Sequence, residues 1–422
     1  MLSLGQVRMS LLQTYYSDRP IYNISFDVNV EGKLDYKLFE HALTLLSARH
    51  KVLRLNVAIE NDKLVHRYNQ HPVVLDTNIS EEAFLSRPFD LGRDRLFKIL
   101  AKDNRLLFLF SDIIIDGHTI LNFFKDLQII YQALRVNQLP KFPVMKAVKE
   151  VKPAVLEQGQ GFWTKMLPKD LDLNLPLPVG INTDDYAEGR VKFGLPLDRI
   201  KKRIGRLGIT LFDYLTAMYL RMLYRVTGKE DLCIDTICAD HDEKQVGLFN
   251  EVVLLPYMAT AGDTLDEYLV NYSKRLTEIK ANIVPLEYLC SRLPFKSLCN
   301  VRIHFEYANK NTEKYFTFGD AKLSTNLYEN ASSQIRQLLT FNVCEYTDKI
   351  ECYFAFKTAC FPEGYIEQLK DYFISLLNDT PGELPPTLPE RYVPKRDKRL
   401  IAYTHAGYYP DKLSYAKFAQ EF

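Results

Sequence analysis

The 422-residue chain has no long apolar run. Its most hydrophobic stretches are strand-length, far short of the roughly 20 residues a membrane helix needs. It also lacks a charge surplus, since 54 lysines and arginines against 53 aspartates and glutamates leave a net charge of +1. With no global field, nothing steers the chain toward nucleic acid or an acidic membrane. Its seven cysteines (Cys233, Cys238, Cys290, Cys299, Cys344, Cys352, Cys360) are scattered, with no CxxC pair and no Cys/His group at ligand spacing. They read as reduced, structural thiols of a cytoplasmic protein, and no metal is expected. The opening MLSLGQVRMSLLQ lacks a basic start followed by an unbroken apolar core, so it does not read as a signal peptide. What is present is the composition of a folded soluble protein, 47% hydrophobic and 25% charged. The length exceeds one ordinary core and predicts two domains or lobes.

Strand-like and helix-like segments alternate without repeats. YNISFDVNV alternates apolar and polar residues as a half-buried strand does. LDYKLFEHALTLLSARH places Phe39, Ala42, Leu43 and Leu46 on one helical face. LRLNVAI and KLVHRYN read as a strand pair around Glu60-Asn61-Asp62, and LFKILAKDNRLLFLF as a hairpin turning at Asp103-Asn104. The segment SDIIIDGHT then leads into the long helix TILNFFKDLQIIYQAL. The polar, Gly-containing EQGQG reads as a linker before Trp163 and a second half. That half contributes the helix TLFDYLTAMYLRMLYRVTG, strands at DLCIDTICAD, EVVLLPYMA, NVRIHFEYA, LLTFNVCEY and KIECYFAFK, and the closing helix IEQLKDYFISLLND. The order predicts an α/β or α+β protein divided into an N-terminal lobe (1–165), a C-terminal lobe (166–380) and a Pro-rich, then basic and Tyr-rich, tail or linker (381–422).

Seven segments carry more than pattern. In chain order they are LSLGQVRMSLLQ, SARHKVLRLNV, RPFDLGRDRLFKILAKD, FWTKML with LNLPLP, GITLFDYLTAMYLRMLYRVTGKEDLCIDT, VGLFNEVVLLPYM and LCNVRIHFEYANK. Taken together and in this order, they resemble the blocks of the condensation domains of nonribosomal peptide synthetases. Each block is weak by itself, and their collinearity over nearly the whole chain gives the resemblance its weight. It implies two chloramphenicol-acetyltransferase-like lobes in a V around a central tunnel. In that family, carrier proteins dock at opposite mouths, and each inserts a phosphopantetheine arm bearing an acyl or aminoacyl thioester. The acceptor amine attacks the donor thioester to make an amide. The implied partners are therefore donor and acceptor carrier proteins, which supply the phosphopantetheine; no cofactor held by the chain itself is implied. With no adenylation or carrier segment, the chain reads as free-standing or terminal, receiving substrates in trans.

The family's signature HHxxxDG falls on SDIIIDG, residues 111–117, so both histidines are replaced. The second histidine of the motif orients the attacking amine or takes its proton, a task suited to a group titrating near neutral pH. Asp112 stands in its place, and a solvated carboxylate titrates near pH ~4. Asp112 reads equally as a catalytic or binding residue and as a relic of the tunnel wall. Asp116 and Gly117 keep the motif's second half: Gly117 for a tight turn, Asp116 as a scaffold carboxylate whose matching arginine is Arg54. His118 is a conceivable replacement base, against the plainer reading of a packed or solvated histidine at a helix start. Ser111 is a conceivable nucleophile with no His/Asp partner at a recognisable spacing. The heterocyclisation signature DxxxxDxxS falls on Ser111, Asp116 and Thr119: two of its three positions are the same or similar, the first carboxylate is missing, and Asp112 is one residue out of register, which on a strand means the opposite face. Four further positions, Thr119, His241, Glu251 and Asn309, read as substrate-channel residues, two of which depart from the family: His241 replaces an arginine and Glu251 an asparagine.

These observations favour an acyl-transfer enzyme with an altered site, because an amine attacking a thioester needs mainly orientation and proximity. The alternative is a non-catalytic, condensation-like platform that docks carrier proteins or recruits a tailoring enzyme. A heterocyclisation-type enzyme, or one acting on a free substrate, stands behind both.

Overall fold

In a computed structural model of the chain, the described residues are 3–61, 63–117, 119–143, 153–169, 171–173, 175, 187–239, 245–258, 262–307, 315–325, 337–345, 349–380 and 382–385. Most of the 381–422 tail lies outside them. The first half runs α1 (Leu4–Tyr15), β1 (Asn23–Glu31), α2 (Tyr36–Arg49), β2 (Leu55–Glu60), β3 (Lys63–Tyr68), α3 (Glu81–Ser86), β4 (Phe97–Lys102), β5 (Arg105–Ser111) and α4 (Thr119–Arg135). The second half runs α5 (Pro153–Met166), β6 (Glu188–Phe193), α6 (Leu197–Leu207), α7 (Leu211–Thr227), β7 (Cys233–Ala239), β8 (Asn250–Pro256), α8 (Leu265–Ala281) and α9 (Leu286–Cys290). It ends with β9 (Val301–Tyr307), β10 (Tyr315–Phe318), β11 (Ala321–Thr325), β12 (Leu339–Glu345), β13 (Ile350–Lys357) and α10 (Tyr365–Leu377). No helix among the described residues is long and apolar enough to cross a membrane.

Local chemistry sets the helix starts. The Ser3 hydroxyl accepts the Gln6 amide while the Gln6 side chain accepts the Ser3 amide, and Thr210/Asp213 and Thr264/Glu267 repeat this reciprocal cap at α7 and α8. The hairpin joining β4 and β5 turns at Asp103, whose φ of 51° lies in the left-handed region that aspartate tolerates.

The first sheet is five-stranded and antiparallel in the order β10-β11-β1-β5-β4; the second is six-stranded and mixed, in the order β6-β13-β12-β9-β7-β8. Each sheet has its own apolar core. In the first, Phe26, Phe108 and Phe110 stack across β1 and β5, and Phe124 of α4 meets the Phe108 ring edge-on at 5.2 Å. Every residue of β5 from Leu106 to Ser111 is buried. This central strand is covered on both faces.

The division of the chain at 165/166 needs two corrections. Helix α5 belongs with the second core, where Trp163 is buried and its indole Nε1–H donates to Asn282 O. The EQGQG segment is therefore not a linker but the middle of that helix. Its Gly159 is required by close approach, since a Cβ there would lie 2.3 Å from Val284 Cγ1. In the other direction, β10 and β11 return from the second half to complete the first sheet. Val30 of β1 faces Leu323 across the ladder, and Gln128 and Gln132 of α4 hydrogen-bond the Thr317 backbone.

Candidate functional site

Strand β5 ends at Ser111, and the chain turns at once, with the Ile114 amide donating to Ser111 O at 3.1 Å. The Asp112 amide donates to Tyr22 O at 2.9 Å. Ile113, Ile114 and Ile115 are fully buried and drive this turn into the first core. Gln6 Nε2 of α1 donates to Ile113 O at 3.5 Å. Asp112, left at the rim, is half-buried. Because residues 112–114 form a turn, the strand rule that adjacent residues face opposite ways does not apply at Asp112.

Asp116 is buried, and both its carboxylate oxygens are engaged by backbone. Oδ1 accepts the amide of Thr119, the first residue of α4, at 3.0 Å, and Oδ2 accepts the amide of Phe249 from the second half at 2.9 Å. Thr119 accepts the Asp116 amide through Oγ1, and its hydroxyl donates to Gly247 O at 2.9 Å. Asn122 Nδ2 donates to Gln245 O one turn further along α4. The motif thus forms a clamp between the helix start and the segment leading into β8.

Arg54 is not the partner of Asp116. Its Nε donates to Ser47 O and its Nη1 to Gln70 Oε1, so the guanidinium ties α2 to the loop after β3. Ser111 is fully buried, with its hydroxyl donating to Gln13 Oε1 at 3.0 Å, the position of a core hydrogen bond and not of a nucleophile. Thr119 is likewise buried and does not line a channel. Ser111, Asp116 and Thr119 all use their polar groups internally, which removes the basis for the heterocyclisation reading. Gly117 is exposed, its φ lies outside the left-handed region, and an added Cβ would meet nothing within 4 Å, so the turn does not require glycine. His118, His241 and Asn309 lie outside the described residues.

A second polar group stands on the other side of the clamp. Glu251 follows Phe249 by two residues on β8, opposite Cys238 of β7. Burial first, and then the negative charge of Glu287 on α9, push its carboxyl up to about 7, against the pull of Arg8 on α1. Arg8 Nη1 lies 2.8 Å from Glu287 Oε1, an ion pair joining the two halves. Beside them Arg302 of β9 grips Asp235 of β7 through two nitrogens, at 2.6 and 3.1 Å. Arg8 and Glu287 carried no assignment from sequence. Two signals were there: Arg8 sits inside the opening block, and Glu287 is a lone charge in the apolar run IVPLEYLC.

A family model for the Condensation domain matches residues 1–391. The chain belongs to the condensation-domain family. Among curated proteins, this condensation domain is 26% identical over 409 residues to gramicidin S synthase 2 of Brevibacillus brevis, covering 90% of the chain and 9% of that protein. Bacitracin synthase 1 of Bacillus licheniformis is 23% identical over 448 residues, with 94% and 8% covered. The chain therefore spans a small part of the synthetases it matches. Among solved structures, the X-domain from teicoplanin biosynthesis superposes with a TM-score of 0.75 at 20% identity, covering 93% of this chain and 97% of that one. The starter condensation domain of rhizomide synthetase gives 0.72 at 17% identity, with 92% and 96% covered. These likenesses establish the fold class expected from the blocks, two chloramphenicol-acetyltransferase-like lobes of mixed helix and sheet.

Proposed function

We propose that this condensation domain transfers an acyl or aminoacyl group from one carrier-protein thioester to an amine held by another, through a site without the family's histidines. The reading is carried by the clamp at Asp116: the loop bearing Asp112 is fixed between the lobes by hydrogen bonds to both Thr119 and Phe249. A loop held this firmly preserves the orientation on which amine attack depends. Asp112 then serves to hold the incoming ammonium or to accept a hydrogen bond from the amine, with His118, close by in the sequence, as the proton acceptor. The carrier proteins supply the phosphopantetheine arms.

A second reading has its own support. The teicoplanin X-domain resembles this chain as well as the rhizomide domain does, and it has been solved in complex with OxyB. On that reading the chain would recruit a tailoring enzyme and transfer nothing. Loaded donor and acceptor carrier proteins, offered to wild type and to Asp112→Ala and followed by intact mass, separate the two. Chain transfer by wild type with at least a tenfold loss in the variant supports the acyl-transfer reading. Absence of transfer by wild type, with carrier proteins still bound, overturns it in favour of docking.

A further inference from the structure

Arg54 and Arg95 meet on the first lobe, where the segment after β3 brings them together. Arg54 ends the short helical turn Lys51–Arg54 and donates from Nη1 to Gln70 Oε1 at 3.0 Å. Arg95, just before β4, donates from Nη2 to His71 O. The two guanidiniums thus hold adjacent residues of one segment, which makes them neighbours. Arg54 lies over the Tyr68 ring at 6.0 Å and Arg95 over the Phe97 ring at 5.4 Å. A ring on its flat face favours a guanidinium cation and leaves the in-plane N–H groups able to donate.

Two positive charges meet here with nothing negative between them. Among the described residues neither guanidinium has a carboxylate partner. The acidic side chains nearest in sequence pair elsewhere: Glu60 with Arg67, and Asp94 with Lys98 at 3.5 Å. Burial first, and then the charge of Arg54, hold the Arg95 guanidinium below its usual value. Each guanidinium carries five N–H donors. Arg54 uses two of them, on Ser47 O and Gln70 Oε1, and Arg95 one, on His71 O. Arg95 Nη1 is buried and has no acceptor among the described residues. Such a donor is destabilising until an acceptor enters.

We infer that Arg54 and Arg95 form a binding site for a doubly charged phosphate group, either free phosphate or the end of a phosphate monoester. Charge selects the class, since one dianion neutralises both guanidiniums, whereas a carboxylate or a phosphodiester leaves one uncompensated. Shape agrees with charge. Tetrahedral oxygens can accept from two forks that arrive from different elements, while a carboxylate offers a single plane. Both arginines are half-buried, and Tyr68, Gln70 and His71 around them are exposed. Gln70 is held only by its bond to Arg54 among the described residues, and it is the side chain that an entering phosphate displaces. The site uses no residue of the 111–117 motif, so it stands apart from the acyl-transfer reading.

Calorimetric titration of the whole chain tests this, at about pH 8, where a phosphate monoester is doubly charged, and at ionic strength matched with sodium chloride. Wild type is expected to bind one inorganic phosphate saturably, and to bind dimethyl phosphate and acetate about tenfold more weakly. Methyl phosphate distinguishes the two sources: affinity equal to that of phosphate assigns the site to a monoester's end, and much weaker affinity assigns it to the free ion. Arg95→Gln should weaken phosphate binding by about tenfold, and Arg95→Lys by less, because lysine keeps the charge and loses the fork. Gln70→Ala keeps both arginines and should bind phosphate more tightly than wild type, a gain that no folding defect produces. Absence of saturable phosphate binding by wild type overturns the inference. So does wild-type affinity in a folded Arg95→Gln, or equal affinity for phosphate, dimethyl phosphate and acetate.

Discussion

Asp116 Oδ2 accepts the backbone N–H of Phe249 at 2.9 Å, while Oδ1 of the same carboxylate accepts the Thr119 amide at 3.0 Å. One buried side chain thus starts a helix in the first lobe and fastens the strand entry of the second. Asp116→Ala takes the side-chain acceptor from both amides, leaving the Thr119 amide the Asp116 carbonyl at 3.1 Å, and removes the side-chain cap of the helix. A loss of about 2–4 kcal/mol of unfolding free energy is expected in urea titration. Asp116→Asn keeps one acceptor oxygen and should lose roughly half as much.

Arg54 and Asp116 have separate partners, so their contributions should be independent. A double-mutant cycle of Arg54→Ala and Asp116→Ala is expected to be additive within about 0.5 kcal/mol. A coupling above about 1 kcal/mol would show that the two side chains meet in solution.

Glu251 gives stability a pH dependence of defined sign. Its carboxyl rises from an ordinary 4.5 to about 7 on folding, so the folded protein holds that proton more tightly than the unfolded chain. The stabilisation is complete below the unfolded value and is lost as pH rises through about 7. Its full size is on the order of 3 kcal/mol. Wild type should lose stability progressively between about pH 4 and about pH 8, most steeply between 4.5 and about 7, and Glu251→Gln should remove that slope. Equal slopes in the two proteins would show that the carboxyl is solvated.

The sequence made the scaffold legible wherever spacing carries the information. The hairpin at Asp103 and the helix on which Phe39 and Leu46 share a face follow from period and turn chemistry, and the two cores from chain length. What it did not reveal are relationships between residues far apart in the chain. Phe249 caps no motif and donates only a backbone amide, which any residue offers, so nothing in its identity marks it as the partner of Asp116. Arg54 was paired with Asp116 by family position, yet its guanidinium finds nearer acceptors in Ser47 and Gln70. The EQGQG segment has the composition of a loop. It is the middle of a helix instead, and at Gly159 that helix packs so closely on Val284 that no side chain fits, a tertiary demand that composition does not display. The Arg8–Glu287 pair was hidden for the same reason, since 279 positions separate the two residues in the sequence.

The return of β10 and β11 to the first sheet sets the order in which the polypeptide can mature. During synthesis, β1 keeps one bare edge until residues 321–325 have been made, long after the rest of its own core is available. An uncovered edge of this kind invites pairing with another nascent chain. A fragment cut near residue 165 would therefore inherit a sticky margin in place of an independent lobe. Co-expressing the missing hairpin, not merely lengthening the fragment by a few residues, is what would be needed to keep it monomeric.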